Sequence, residues 1–227
     1  MADFTGARFT GTDIACIRGQ RVLFAGLGFD LAAGGALLVT GPNGIGKSSL
    51  LRLMAGLLPA AAGRLRLTPG GDDAAGPAYL GHGDALKPPL TVAETLAFWT
   101  RIAGPADNGA RTRAVAAAVD LFALAPLARV PCRYLSAGQR RRVALARVVA
   151  QGAPLWLLDE PTTSLDDSGV AAFGQALARH RAGGGMAVIA GHGAVGADGA
   201  AVLEIARFAG RGVTEPFHRG HLAGASA

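Results

Sequence analysis

The sequence predicts an α/β fold: a mostly parallel sheet core covered by helices, with an N-terminal antiparallel β region and an inserted α-helical subdomain. Three observations predict it. A Gly-rich segment at residues 41–48 lies between a short apolar run, 36–40, and a helix-forming run, 49–55. The continuous apolar runs at 155–159 and 186–190 alternate with helical stretches, as strands buried on both faces require. Residues from about 83 to 151 are helical in texture almost throughout and interrupt that alternation.

Taken in order, residues 12–18 and 21–31 read as two short strands turning at Gly19 and Gln20. Val22, Phe24, Leu27, Phe29 and Leu31 alternate loosely, as in a half-buried antiparallel strand. Gly34 and Gly35 turn the chain into the strand at 36–40. The helix after the Gly-rich segment opens near Gly46 and stops at Gly56. Arg64-Leu65-Arg66-Leu67-Thr68 alternates strictly and reads as an edge strand. Residues 69–76 read as a loop and 77–81 as a short buried strand. Thr91-Val92-Ala93-Glu94 is a capping box, opening a helix that runs to about Ala103. Val92, Leu96 and Trp99 share one face of it. Further helices are expected at about 110–122, 136–151 and 168–181, and further strands at 155–159, 186–190 and 201–205. The domain reading is a single unit over residues 1–210. Its core is about 1–82 and 152–210, its helical subdomain about 83–151, and 211–227 is a flexible tail.

Gly41-Pro42-Asn43-Gly44-Ile45-Gly46-Lys47-Ser48 fits the phosphate-loop pattern G-x-x-x-x-G-K-[ST] at every fixed position. Backbone N–H groups of such a turn can converge on a triphosphate only where no Cβ intervenes. Lys47 can reach the β- and γ-phosphates, the Ser48 hydroxyl can ligate Mg²⁺, and the helix end that carries Ser49 adds its positive dipole. An ordinary glycine turn would explain the loop, but not its setting between strand and helix.

Composition narrows the partners. The net charge of +6 comes from basic residues spread along the chain, with one tight run at Arg140-Arg141-Arg142. That run reads as a helix face with i,i+4 contacts, and no nucleic-acid partner is expected. Cys16 and Cys132 form no metal or redox spacing and read as free thiols of a reducing compartment. The N-terminus has no apolar signal core, and no run of about 18 residues is apolar enough to span a bilayer. The expectation is a cytoplasmic chain.

Leu155-Trp156-Leu157-Leu158-Asp159-Glu160 ends a buried strand in two carboxylates, where ligands bind parallel sheets. Asp159 suits Mg²⁺, directly or through water, and Glu160 suits a general base that polarises water. An acidic pair capping a helix would fit these two residues in isolation. Leu135-Ser136-Ala137-Gly138-Gln139, followed by Arg140-Arg141-Arg142-Val143-Ala144-Leu145-Ala146-Arg147, opens a helix whose N-terminal amides can meet a phosphate.

This last segment resembles the signature of ATP-binding cassette (ABC) ATPases. Pro161-Thr162-Thr163-Ser164-Leu165-Asp166 resembles their dimer-contact loop, ending in Asp166, and His192 their switch histidine. The resemblance extends over residues from about 12 to 207. It implies a P-loop NTPase cassette with a RecA-like core, using ATP and Mg²⁺. It implies catalytic Glu160 and His192, metal ligands Ser48 and Asp159, and Ser136 and Gly138 facing the γ-phosphate of a second copy in a head-to-tail dimer. His180, His218 and His221 carry no motif and are read as solvated.

The sequence departs from the general cassette at two positions. His82 stands where a Gln usually touches Mg²⁺, which leaves metal ligation there open. Ile17 and Arg18 stand where an aromatic usually stacks on adenine; an Arg plane can stack instead. Gly81-His82-Gly83-Asp84-Ala85-Leu86-Lys87-Pro88-Pro89-Leu90-Thr91 resembles the ATP-binding subunits of cytochrome c maturation haem exporters. So does Arg21-Val22-Leu23-Phe24-Ala25-Gly26-Leu27. That resemblance implies integral membrane subunits as partners, a periplasmic haem chaperone served indirectly, and a peripheral place on the cytoplasmic face of the bacterial inner membrane. The alternatives are the ATPase of a drug, lipid or polysaccharide exporter, from which the 81–91 segment discriminates, and a non-transport regulatory ATPase.

Overall fold

The computed structural model describes residues 4–68, 76–191 and 197–210. An antiparallel sheet in the order β2-β1-β4 is built from β1 (Arg8–Arg18), β2 (Arg21–Ala32) and β4 (Ala62–Thr68). A parallel sheet in the order β5-β6-β7-β3-β8 contains β3 (Ala36–Thr40), β5 (Ala78–Leu80), β6 (Leu155–Asp159), β7 (Met186–Ala190) and β8 (Ala201–Glu204). The helices are α1 (Lys47–Met54), α2 (Val92–Ala103), α3 (Asn108–Leu121), α4 (Ala137–Gln151) and α5 (Asp167–Ala182).

Every residue of β6 and β7 is buried, which is why both read as unbroken apolar runs. Alternate side chains serve two cores. Leu155, Leu157 and Val188 pack with α1 and the β1–β2 hairpin; Trp156, Leu158, Ala187 and Ile189 pack with α2, α3, α4 and α5. Truncating one of the buried leucines to Ala would cost about 2–5 kcal/mol. The helical subdomain therefore shares one continuous core with the sheet. Within it α4 contacts both α2 and α3.

Local signals set several boundaries. Gly56 ends α1 in a left-handed turn, with the Leu57 and Gly56 N–H groups donating to Arg52 and Leu53 carbonyls, a Schellman closure. Both halves of the Thr91–Glu94 capping box form. β1 begins four residues earlier than its pattern suggests. Phe9 is buried against Phe29, and Arg8–Gly11 pair with β2 and β4, so long-range pairing recruits a stretch of weak local preference. α3 begins at Asn108, two residues before its Ala-rich run, because the Asp107 side chain accepts from the Ala110 N–H.

Three expectations need correction or fall outside. His180 is not solvated. It is half-buried, stacked on Trp156 at 4.0 Å between ring centroids, and its Nε2 lies 3.1 Å from the Met186 carbonyl. The arginines of α4 make no i,i+4 pairs; they reach back to Leu135 or across to other segments. His192, His218, His221, most of the 69–76 loop and the 211–227 tail lie outside the described residues. Both cysteines are free and buried, and burial pushes the Cys16 thiol upward.

Burial pushes the His180 imidazole down to about 4, against the bond to Met186. Its folded value thus lies below its unfolded one, so its stabilising effect is full above about pH 6.5 and is lost as pH falls toward 4. The loss should reach about 3 kcal/mol. Denaturant unfolding at pH 7 and pH 4.5 should show it, and His180→Phe should flatten the difference. Equal acid losses in the variant and the parent would contradict a neutral buried imidazole.

Candidate active site

The site gathers at the carboxyl ends of adjacent parallel strands. β7 lies between β6 and β3, with Asp159 paired to Ala190 and Ala190 paired to Val39. β5 flanks β6 on its other side. The 41–48 loop, the Asp159-Glu160 pair, residue 191 and the 81–84 segment therefore all leave the sheet at one edge, the position expected of a ligand crevice.

Gly41, Gly44 and Gly46 all take positive φ, with Gly46 at 117°. At Gly46 space is scarce as well: a Cβ would stand 3.3 Å from Phe24 Cδ1 and 3.4 Å from Leu23 Cβ. The β1–β2 hairpin thus presses on the loop from one side through Leu23 and Phe24, and Ile17 pairs with Val22 and Arg18 with Arg21 at the end of that hairpin. Lys47 begins α1 and is buried, its Nζ donating to the Gly41 carbonyl at 2.7 Å and the Pro42 carbonyl at 3.2 Å. Ser48 and Ser49 follow in the first turn, half-buried.

Asp159 is buried, and its Oδ2 has no hydrogen-bond partner. An orphaned carboxylate oxygen is expensive unless a cation completes it. A carboxylate and a hydroxyl are the hard oxygen donors that Mg²⁺ takes, with phosphate oxygens supplying the rest. Asp159 and Ser48 fit that cation. Exposed His82 lies just beyond β5.

Glu160 adopts φ 47°, a left-handed conformation costing a non-glycine residue about 1–3 kcal/mol. Both ends of the residue are held. Its N–H donates to the Ala190 carbonyl at 2.7 Å, and its own carbonyl accepts from Arg141 Nη2 at 2.6 Å. Thr163 Oγ1 donates to Glu160 Oε2 at 3.3 Å. That bond holds the carboxylate beside the 160–163 turn, and a carboxylate is a group suited to general-base chemistry. Gly191, the last described residue before His192, runs beside it: a Cβ there would stand 3.5 Å from Glu160 Cα.

The 135–139 segment is built differently. Leu135 is buried as an anchor, while Ser136 and Ala137 are exposed. Ser136 caps α4, accepting from the Gln139 N–H, and Gln139 Oε1 accepts from the Ser136 N–H. Gly138 is required by close approach, since a Cβ would stand 2.8 Å from the Ser164 carbonyl. Asp166 caps α5 through the Gly169 N–H and pairs with Arg142 at 2.6 Å. The contacts of 136–139 are thus with their own turn and the 161–166 turn. They present an outward helix end rather than a wall of the phosphate loop.

A strand–loop–helix phosphate cradle beside a buried metal-type carboxylate and a strained glutamate defines a nucleoside triphosphatase site. Residues 24–163 match the ABC transporter family. The chain is 53% identical to the cytochrome c biogenesis ATP-binding export protein CcmA of Rhodospirillum rubrum, covering 89% of this chain and 88% of that one. It is 51% identical to the protein of the same name from Paramagnetospirillum magneticum, covering 92% and 97%. In fold it is similar to a solved ATP-binding subunit of an ABC transporter, with TM-score 0.78, 19% identity and coverage of 87% and 85%. It is also similar to an ABC transporter ATP-binding protein from Pyrococcus furiosus, with TM-score 0.73 and 16% identity, covering 89% and 99%. The chain belongs to the ABC transporter family as an ATP-binding, ATP-hydrolysing subunit. Within it, the chain belongs with the cytochrome c biogenesis ATP-binding export proteins.

Exchanging Glu160 for Gln keeps shape and hydrogen bonding but removes the basic oxygen. ATP hydrolysis by the variant should fall by about 100-fold or more, with ATP still bound at parental affinity. A parental turnover rate would contradict the base role.

Proposed function

We propose that the chain powers an export step of cytochrome c biogenesis by binding and hydrolysing ATP beneath separate integral membrane subunits. The observation that carries this reading is the 53% identity, spread over 89% of the chain, to a relative of that name. Two copies close head-to-tail. The 41–48 loop, Asp159, Glu160 and His192 of one copy meet Ser136 and Gly138 of the other, and Asp166 lies in the loop at the contact. The outward position of the α4 N-terminus supports that arrangement, because its free amides are available to a neighbour's phosphate.

Within each composite site, Lys47 and the loop amides hold the β- and γ-phosphates. Ser48 and Asp159 would hold Mg²⁺, which would supply positive charge to offset that developing on the phosphates in transfer. Glu160 takes a proton from the attacking water, and His192 contacts the γ-phosphate and orients that water. The course of the chain at Gly191 supports the pairing of those two side chains. Arg18, at the hairpin end near the loop, offers a planar surface to the adenine. Hydrolysis splits the ATP held between the copies into ADP and inorganic phosphate, two anions that repel, and the copies separate.

Among the described residues no helix is long and apolar enough to cross a membrane. The chain is proposed to sit peripherally on the cytoplasmic face of the inner membrane, docked through membrane subunits. The exposed 81–91 segment is proposed as the part that meets them. The cycle serves release or delivery of haem to a periplasmic haem chaperone.

Deleting the gene should leave c-type apocytochromes without covalent haem, seen as loss of haem-stained bands in a denaturing gel. Restoration should require a copy with Glu160 intact. Normal c-type cytochromes in the deletion strain would overturn the biological assignment while leaving the ATPase chemistry in place.

A further inference from the structure

Arg141 lies in the middle of the basic run on α4 and is almost wholly buried, 4% exposed. Its guanidinium is spent entirely inside the protein. Nη2 donates to the Asp159 carbonyl at 2.7 Å and the Glu160 carbonyl at 2.6 Å, and Nε donates to the Pro161 carbonyl at 3.2 Å. Nη1 donates to the Gly81 carbonyl at 3.1 Å and to Asp84 Oδ1 at 3.2 Å. Three consecutive carbonyls at the end of β6 and two oxygens flanking His82 thus converge on one side chain.

Only arginine offers five N–H donors in a rigid planar fork, and only such a fork spans several segments at once. The carbonyls it meets are those left over where β6 stops pairing and the chain turns through the left-handed Glu160. Arg141 supplies a donor to all three and so ties them to one rigid group. The Glu160 N–H is held by β7, and its carbonyl accepts from Arg141 Nη2 at 2.6 Å and from the Thr163 N–H at 3.2 Å, so Arg141 supplies the shorter of the two bonds that hold the carbonyl in the strained turn. The neighbouring Arg142 does a different job, pairing with Asp166 at the 161–166 turn.

We propose that Arg141 is a positioning residue for hydrolysis: it fixes the backbone of Asp159, Glu160 and Pro161 so that the Glu160 carboxylate stands where the attacking water will be. It touches neither nucleotide nor water. This inference rests on Glu160 as the general base. It locates the support of that base on the helix that also carries the signature segment, and it ties both to the residues around His82.

The test uses the full chain, with Arg141→Met and Arg141→Lys, each checked for a parental far-ultraviolet spectrum and a cooperative melt. Arg141→Met should lower kcat about tenfold or more, with the nucleotide Kd within about twofold of the parent. A generally loosened protein would instead lose affinity and activity together. Arg141→Lys keeps the charge but cannot span the segments, and kcat should fall at least about threefold at unchanged Kd. In single-turnover assays, adding Arg141→Met to Glu160→Gln should cost less than about twofold more, because two residues acting as a unit are not additive.

Parental kcat in a folded Arg141→Lys, or a full multiplicative loss in the double variant, would overturn the inference. Should Arg141→Met fail to fold, the Lys variant alone decides. Parental hydrolysis in Glu160→Gln would overturn the base assignment and this inference with it. A silent Arg141 beside a crippled Glu160→Gln would overturn this inference alone.

Discussion

The site depends on one register. β7 pairs in parallel with β6 on one side and β3 on the other, and Ala190 meets both Asp159 and Val39. Parallel strands end at the same edge, so this pairing carries the phosphate loop, the metal-type carboxylate, the strained glutamate and the chain entering His192 to one place. Slipping β6 by one residue would exchange Leu155 and Leu157 for Trp156 and Leu158 between two full cores. The apolar packing on both faces therefore enforces the register. Fold stability and catalytic geometry are held by the same contacts.

The second tier of order is polar and converges on α4. Its first turn is capped by Ser136 and Gln139. One arginine inside the helix supports the Asp159–Pro161 carbonyls, the next pairs with Asp166, and Arg147 lies with its guanidinium 4.7 Å from the Trp99 ring centroid while donating to the Tyr79 carbonyl. Burial pulls the Arg147 guanidinium down to about 10, still charged at neutral pH. The helix that presents a surface outward is thus bonded inward to both β5 and β6. Movement at either face cannot leave the other untouched.

Much of this was legible in the sequence because its causes are local. The phosphate loop needs glycines where φ is positive, and both capping boxes need a hydroxyl residue three before Glu or Gln; Thr91 and Ser136 stand where those rules put them. Unbroken apolar runs announced the buried parallel strands. What was not legible depends on distant partners. Nothing within 140–142 distinguishes a solvated arginine face from a run in which Arg141 and Arg142 are tertiary anchors, because the carbonyls that claim Arg141 lie about 20 and 60 positions away. His180 carries no motif, yet a ring stacked on Trp156 and a bond to Met186 draw it inside. The first four residues of β1 are drawn into the strand by pairing with β2 and β4.

The central claim is that each site is completed by a second copy. It predicts complementation between two inactive variants. Lys47→Ala disables a chain's own phosphate loop. Ala137→Glu, at an exposed first-turn position where a carboxylate suits the helix end, sets a negative charge against the γ-phosphate of the neighbour. In a dimer of one variant with the other, both lesions fall in one composite site and the second site is intact. Mixing the two inactive proteins at equal amounts should restore ATP hydrolysis, up to about a quarter of the parental rate from statistical pairing. Persistent inactivity of a mixture shown to contain the mixed dimer would mean that each chain works with its own signature segment, and would contradict the account.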